Sequence, residues 1–117
     1  MPVDADEALR RATLIRSDPS LRGVTRRNIA EEEGEVLWQY LAPDGDPIEE
    51  EDRVQRWNSM GLPPAWEDVW ICPNPRGHIQ ATGRDVKGRL QYRYHPDWTE
   101  ITTEMKYDDV VYFASQL

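Results

Sequence analysis

At 117 residues the chain is sized for one domain. An apolar content of 38% supports a modest core, and five Trp and five Tyr against one Phe mean that indoles and phenols must supply much of it. A formal charge of -8 argues against a uniformly basic nucleic-acid binder, no apolar run is long enough for a membrane span, and the one cysteine, Cys72, excludes an internal disulfide.

A single thiol and a start without a secretory h-region lead us to expect a cytoplasmic protein. Met1 to Arg16 has Ala5, Ala8, Leu9, Ala12 and Ile15 at helical spacing, with Asp4 placed as a cap and Asp6-Glu7 in the first turn. Ser17-Asp18-Pro19 stops that helix. Val24 to Gly34 holds Arg26-Arg27 and then Glu31-Glu32-Glu33, and reads as a solvated loop because charge runs seldom pack.

Glu35 to Tyr40 is a strand, with Val36, Trp38 and Tyr40 on one face. Ala42-Pro43-Asp44-Gly45-Asp46 is a hairpin turn, since Asp-Gly supplies the positive φ that tight turns need. Pro47-Ile48 begins the return strand. Glu49 to Met60 reads as a short helix whose acidic start suits the positive end of the helix dipole, and Gly61 closes it. Trp57, Trp66 and Trp70 have apolar neighbours and are expected in the core.

Leu62 to Trp98 then reads as three strands joined by two short turns. Pro63-Pro64 bars a helix from entering, and Trp66 to Cys72 is aromatic and β-branched. Pro73 to Gly77 is a dense turn signal, His78 to Gly83 a second extended run, and Asp85-Val86-Lys87-Gly88 a second turn. In the third run, Leu90 to His95, Tyr92 and Tyr94 share one face while Gln91, Arg93 and His95 share the other. Thr99 to Leu117 is expected to be helical from Thr102, with Met105, Val110, Val111, Phe113 and Ala114 on or near one face.

The charge is unevenly spread. Residues 1–72 carry -8 and residues 99–117 carry -3, but residues 73–98 carry +3, from Arg76, Arg84, Lys87, Arg89 and Arg93 against Asp85 and Asp97. Cations, a glutamine and tyrosines on a small sheet suit a polynucleotide groove. Cations hold phosphates, Gln pairs with an adenine edge, and Tyr reaches phosphate or lies against sugar. His78 and His95 with Cys72 do not make a metal-ligand spacing, Gly83 to Gly88 lacks a phosphate-loop ending, and no carboxylate pair stands out for acid–base work. No cofactor is expected.

Four segments carry a family resemblance: PPAW at 63–66, DVWIC at 68–72, GHIQATGRD at 77–85 and KGRLQYRYH at 87–95. They resemble the amino-terminal domain of type IB DNA topoisomerases of the bacterial and poxvirus kind, from about Leu14 onward, and the resemblance implies an extended entry segment over Leu14 to Gly23, which competes with the helical spacing over Leu14 to Arg16. The resemblance implies a DNA clamp half, with no metal required. It implies that the tyrosine nucleophile and its supporting cations lie in a separate carboxyl-terminal catalytic domain, so that Tyr92 and Tyr94 are not the nucleophile. It also implies that Lys87 and Arg89 touch phosphates, that Gln91 and Tyr92 reach the major groove, and that Tyr94 meets the backbone. Arg84 and Arg93 are further candidates, with Arg76 and His78 behind them. Alternation alone favours packing Tyr92 and Tyr94 into the core; the resemblance places them on DNA. Gln91 and Tyr92 contact DNA together only if a bulge or twist intervenes.

The expected architecture is α+β: a small antiparallel sheet of about five strands flanked by two or three helices. Residues 1–23 are the helical and extended entry, 24–98 the clamp domain, and 99–117 a helix leading toward the catalytic domain. The expected partners are duplex DNA and that catalytic domain, with no membrane and a monomeric state. The chain is then an amino-terminal fragment, or a product without its catalytic half, working at the nucleoid. The rival reading is an acidic protein-interaction module that does not bind DNA.

Overall fold

The computed structural model describes residues 4–115, with side chains through Tyr107. The expected apolar face at Val110, Val111, Phe113 and Ala114 therefore lies outside the described side chains, as do the first three residues of the expected first helix. The elements run in the order α1 (Ala5–Ala12), β1 (Thr25–Glu32), β2 (Glu35–Leu41), β3 (Pro47–Ile48), α2 (Glu51–Ser59), β4 (Glu67–Ile71), β5 (Ile79–Arg84), β6 (Leu90–Tyr94) and α3 (Pro96–Ser115). The class is α+β, but the single sheet of about five strands is not what forms. There are two three-stranded antiparallel sheets, β1-β2-β3 and β4-β5-β6.

The extra strand is β1, in the stretch read as a solvated loop. It pairs with β2 along its length and turns through Glu33 and Gly34, both at positive φ. Most of its side chains are exposed, so it lacks the in–out alternation that announces a strand. The sheets join at a single backbone bridge. Val24 N–H donates to the Ile71 carbonyl at 2.9 Å, and Ile71 N–H donates back to Val24 at 2.7 Å.

Around that bridge sits the core: Val24, Tyr40, Ile48, Trp57, Leu62, Val69, Ile71 and Ala81, with Trp38, Val54, Met60 and Trp66 packed on it. Trp57 is only 1% exposed and lies 5.2 Å from the Tyr40 ring, so α2 is pinned to the first sheet. Gly83 of β5 faces Trp66, and a Cβ there would come within 2.6 Å of the indole. Cys72 is buried, as expected for a structural thiol.

Asp4 caps α1 by accepting from the Asp6 and Glu7 N–H groups. The helix stops at Ala12, earlier than Ser17-Asp18-Pro19 suggested, because Thr13 turns left-handed at φ 52. Leu14 to Arg16 is then extended, and Ile15 bridges to Gly77. Arg76 grips the end of this helix, donating to the Ala12 and Thr13 carbonyls, and pairs with Asp97 at 3.4 Å. His78 is buried; its Nδ1 accepts from Ser17 N–H at 3.0 Å, and its ring meets Trp98 edge-on. Both residues therefore have structural roles, His78 within the fold and Arg76 at the half-exposed end of α1.

The last helix starts at Pro96, six residues before Thr102. Pro suits the first helical position, and His95 caps it by accepting from Asp97 N–H through Nδ1 at 3.0 Å. Among the described residues no helix is long and apolar enough to cross a membrane.

Truncating the indole that ties α2 to the sheets should be costly. Trp57→Ala is expected to lose about 3–5 kcal/mol of stability. Urea unfolding followed by fluorescence measures it, and a loss below about 1 kcal/mol would contradict the core assignment.

Candidate nucleic-acid interface

The candidate residues lie on β6 and the turn that leads into it. That turn is built by one side chain. Asp85 Oδ1 accepts from the N–H groups of Lys87 at 2.9 Å and Arg89 at 3.0 Å. Its Oδ2 accepts from Arg89 Nε at 2.9 Å and from the Gln91 amide at 3.0 Å. The backbone closes around it through Asp85 N–H to the Arg89 carbonyl and Gly88 N–H to the Asp85 carbonyl. Gly88 sits at φ 76, a conformation that costs glycine little. Arg84 folds over the turn and donates to the Gly88 carbonyl at 3.0 Å.

Partial burial works to raise the Asp85 pKa. The hydrogen bonds from the Arg89 N–H, the Gln91 amide, the Arg89 guanidinium and the Lys87 N–H outweigh it and hold the carboxyl at about 2. The carboxylate is thus charged at any physiological pH and fixes two cation-bearing residues and a glutamine in one frame.

Along β6 the side chains fall into two rows. Leu90, Tyr92 and Tyr94 point outward, and the tyrosines are 45% and 41% exposed. Their rings stack at 6.0 Å between centroids and 12° between planes. They are not core residues. Gln91 and Arg93, half-buried, form the opposite row. The bulge in this sheet pairing lies on β5, between Ile79 and Ala81, and not within β6. Gln91 and Tyr92 therefore stay on opposite faces, and the bulge that would bring them to one face is not there. Arg93 donates to the Met60 carbonyl beneath the sheet and is turned away from the tyrosines.

What unites the two rows is the edge. In the order β4-β5-β6 the last strand has no neighbour beyond it, so long side chains from both faces reach its free side. Lys87 is exposed and makes no ion pair among the described residues. Arg89 binds Asp85 through Nε and remains 65% exposed, so its Nη groups are presented outward. Chemically this is one free ammonium at Lys87, one guanidinium partly engaged by Asp85, two stacked phenols and one held amide along the edge of the sheet. Val86, 82% exposed at the tip of the turn, adds an apolar contact that no sequence pattern singles out. The acidic run expected in a loop instead tips the β1–β2 hairpin, where Glu31, Glu32, Glu33 and Glu35 are all exposed.

Comparison with known proteins bears on the same stretch. Residues 37–85 match the family model described as the amino-terminal domain of bacterial DNA topoisomerase IB. A relative described as DNA topoisomerase 1B, from Acanthamoeba polyphaga mimivirus, is 38% identical over 65 residues, which is 56% of this chain. The chain spans about a fifth of that relative, the aligned part being 19% of its length.

The Asp85 frame has a defined acid limit. The folded pKa lies below the ordinary 3.8, so the carboxylate contributes its full stabilisation above about pH 4, and the contribution is lost as pH falls through about 2. The Asp85 carboxyl carbon, followed by NMR, is expected to titrate near 2. A midpoint near 4 would mean that the four hydrogen bonds do not persist in solution.

Proposed function

We propose, from the match of residues 37–85 to the amino-terminal domain of bacterial DNA topoisomerase IB, that this chain is a DNA clamp half that docks the free edge of β6 on duplex DNA. The observation that carries the reading is the open edge itself: exposed Lys87 and Arg89 beside the stacked, outward Tyr92 and Tyr94. β6 is the edge strand of a three-stranded sheet, and that edge with the 85–89 turn is the part offered to the groove. Lys87, Arg89 and, at its rim, Arg84 neutralise phosphates; the phenols meet sugar and phosphate; the Gln91 amide, held by Asp85, is offered to a base edge. Arg93 supports the strand from beneath.

In this reading the chain supplies affinity and positioning, and a separate catalytic domain carries the tyrosine that opens and reseals one strand. The activity of the whole is relaxation of supercoils in the cytoplasm, at the nucleoid, with this half acting as a monomer. The net charge of -8 makes the grip local and sensitive to salt. One observation favours a second reading: the β1–β2 hairpin exposes four glutamates together with Ile29 and Leu37, a surface suited to a basic protein.

Fluorescence anisotropy with a labelled duplex across a salt series separates the two. Lys87→Ala and Arg89→Ala are each expected to reduce the slope of log K against log salt by about 0.9. Binding that is undetectable at low salt, or a slope indifferent to both substitutions, would reject the clamp and favour the acidic module.

A further inference from the structure

A cleft of about 390 Å³ lies between the carboxyl end of α2, the Pro75 turn and the end of β6, with Tyr94 in its wall. That volume is at the small end of the range that takes small molecules. Its polar lining is cationic and amide: Arg56, Arg93, Gln80 and His95, with Met60 and Pro75 among the apolar walls. No carboxylate lines it, although the chain has 22 acidic residues.

The two guanidinium groups are half-buried and, among the described residues, neither is in an ion pair. Each is held by a neutral partner instead. Arg56 donates to Gln80 Oε1 at 3.1 Å and lies over the Trp57 ring at 5.5 Å. Gln80, 6% exposed, is itself fixed because its amide donates to the Gly77 carbonyl at 2.6 Å. Arg93 donates to the Met60 carbonyl. One such bond leaves most of the five N–H donors of each group free. A charge that a ligand would cover needs an opposite charge to replace its lost water. Here the fold orients two cations toward one concave space and provides no anion. At the rim, burial lowers the His95 pKa, Asp97 raises it, and Arg76 and Arg56 lower it further.

We propose that this cleft binds a small organic oxyanion, a carboxylate or phosphate monoester on an apolar or aromatic body, through Arg56 and Arg93. The guanidinium forks take the oxyanion, which matches their planar geometry. Met60 and Pro75 cover the body. The cleft adjoins the DNA-facing edge at Tyr94 but does not include Lys87, Arg89 or Tyr92.

The test is a heteronuclear NMR titration of the full chain with benzoate, phenyl phosphate and inorganic phosphate in turn. Benzoate or phenyl phosphate is expected to give saturable shifts at Arg56, Gln80, Arg93, Tyr94 and His95, while the Lys87, Arg89 and Tyr92 signals stay still. Inorganic phosphate, lacking an apolar body, is expected to bind about tenfold more weakly. Arg56→Gln and Arg93→Gln should each weaken benzoate by about tenfold. Arg93→Gln also removes the bond to Met60; Arg93→Lys keeps the charge, loses the fork, and is expected to fall between wild type and Gln. The absence of saturable shifts, affinity indifferent to both Gln variants, or equal binding of inorganic phosphate would overturn the proposal. So would movement of the Arg56, Gln80, Arg93 and His95 signals with duplex DNA alone, which would merge the cleft with the DNA face.

Discussion

The two sheets of this chain are held together where Val24 and Ile71 exchange backbone hydrogen bonds, and both residues are fully buried there. The placement of that seam decides what the rest of the molecule presents. It ties the second sheet to the first through β4, so β5 is central and β6 is left as a free edge. Trp57 and Tyr40 fill the space behind the seam, and Trp66 closes over Gly83. The core is thus gathered on one side of β4-β5-β6, and the outward tyrosines of β6 stay 45% and 41% exposed. An exposed edge invites pairing with another chain, and here it is flanked by the charges of Lys87 and Arg89, which discourage that.

The second determinant is Asp85. A hairpin turn carrying Lys87 and Arg89 would otherwise spread its cations through many rotamers. Four hydrogen bonds to one carboxylate fix the turn and orient Arg89 and Gln91 before any partner arrives. Ordering long side chains in advance lowers the entropy lost on binding, so a chain with a charge of -8 can still offer a small, competent basic surface. The same acid lies within the cationic patch, so its geometric contribution has to exceed its electrostatic opposition to phosphate. The cleft at the end of β6 has a contrasting design: Arg56 and Arg93 are held by neutral oxygens, and their charge is left unmatched.

Much of this could be read from the sequence. The Asp-Gly hairpin, the Asp4 cap, the short helix over residues 51–59 and the three runs of the second sheet each follow from local chemistry that the fold keeps. The exposure of Tyr92 and Tyr94 could not be read from alternation, which favoured burial; the family resemblance pointed the right way. β1 was missed because its exposed charged residues on both faces look like a loop, although Gly34 marked its turn. The start of α3 was missed because its cap is a histidine before a proline. The roles of Arg76 and His78 depend on partners more than sixty residues away in Ala12, Thr13 and Ser17, and no local pattern reveals such partners. The split of Gln91 and Tyr92 between two faces was foreseeable from strand geometry, and the fold keeps it.

The central claim is that the Asp85 frame makes the β6 edge competent to hold DNA, and Asp85→Ala in the full chain tests it most directly. Charge alone says that removing an acid beside a phosphate-binding surface should tighten duplex binding. A turn ordered in advance by that acid predicts the reverse: weaker binding at every salt concentration, with the rest of the fold intact by NMR. Tighter or unchanged binding would show that the turn's order is irrelevant to the grip and would contradict the claim.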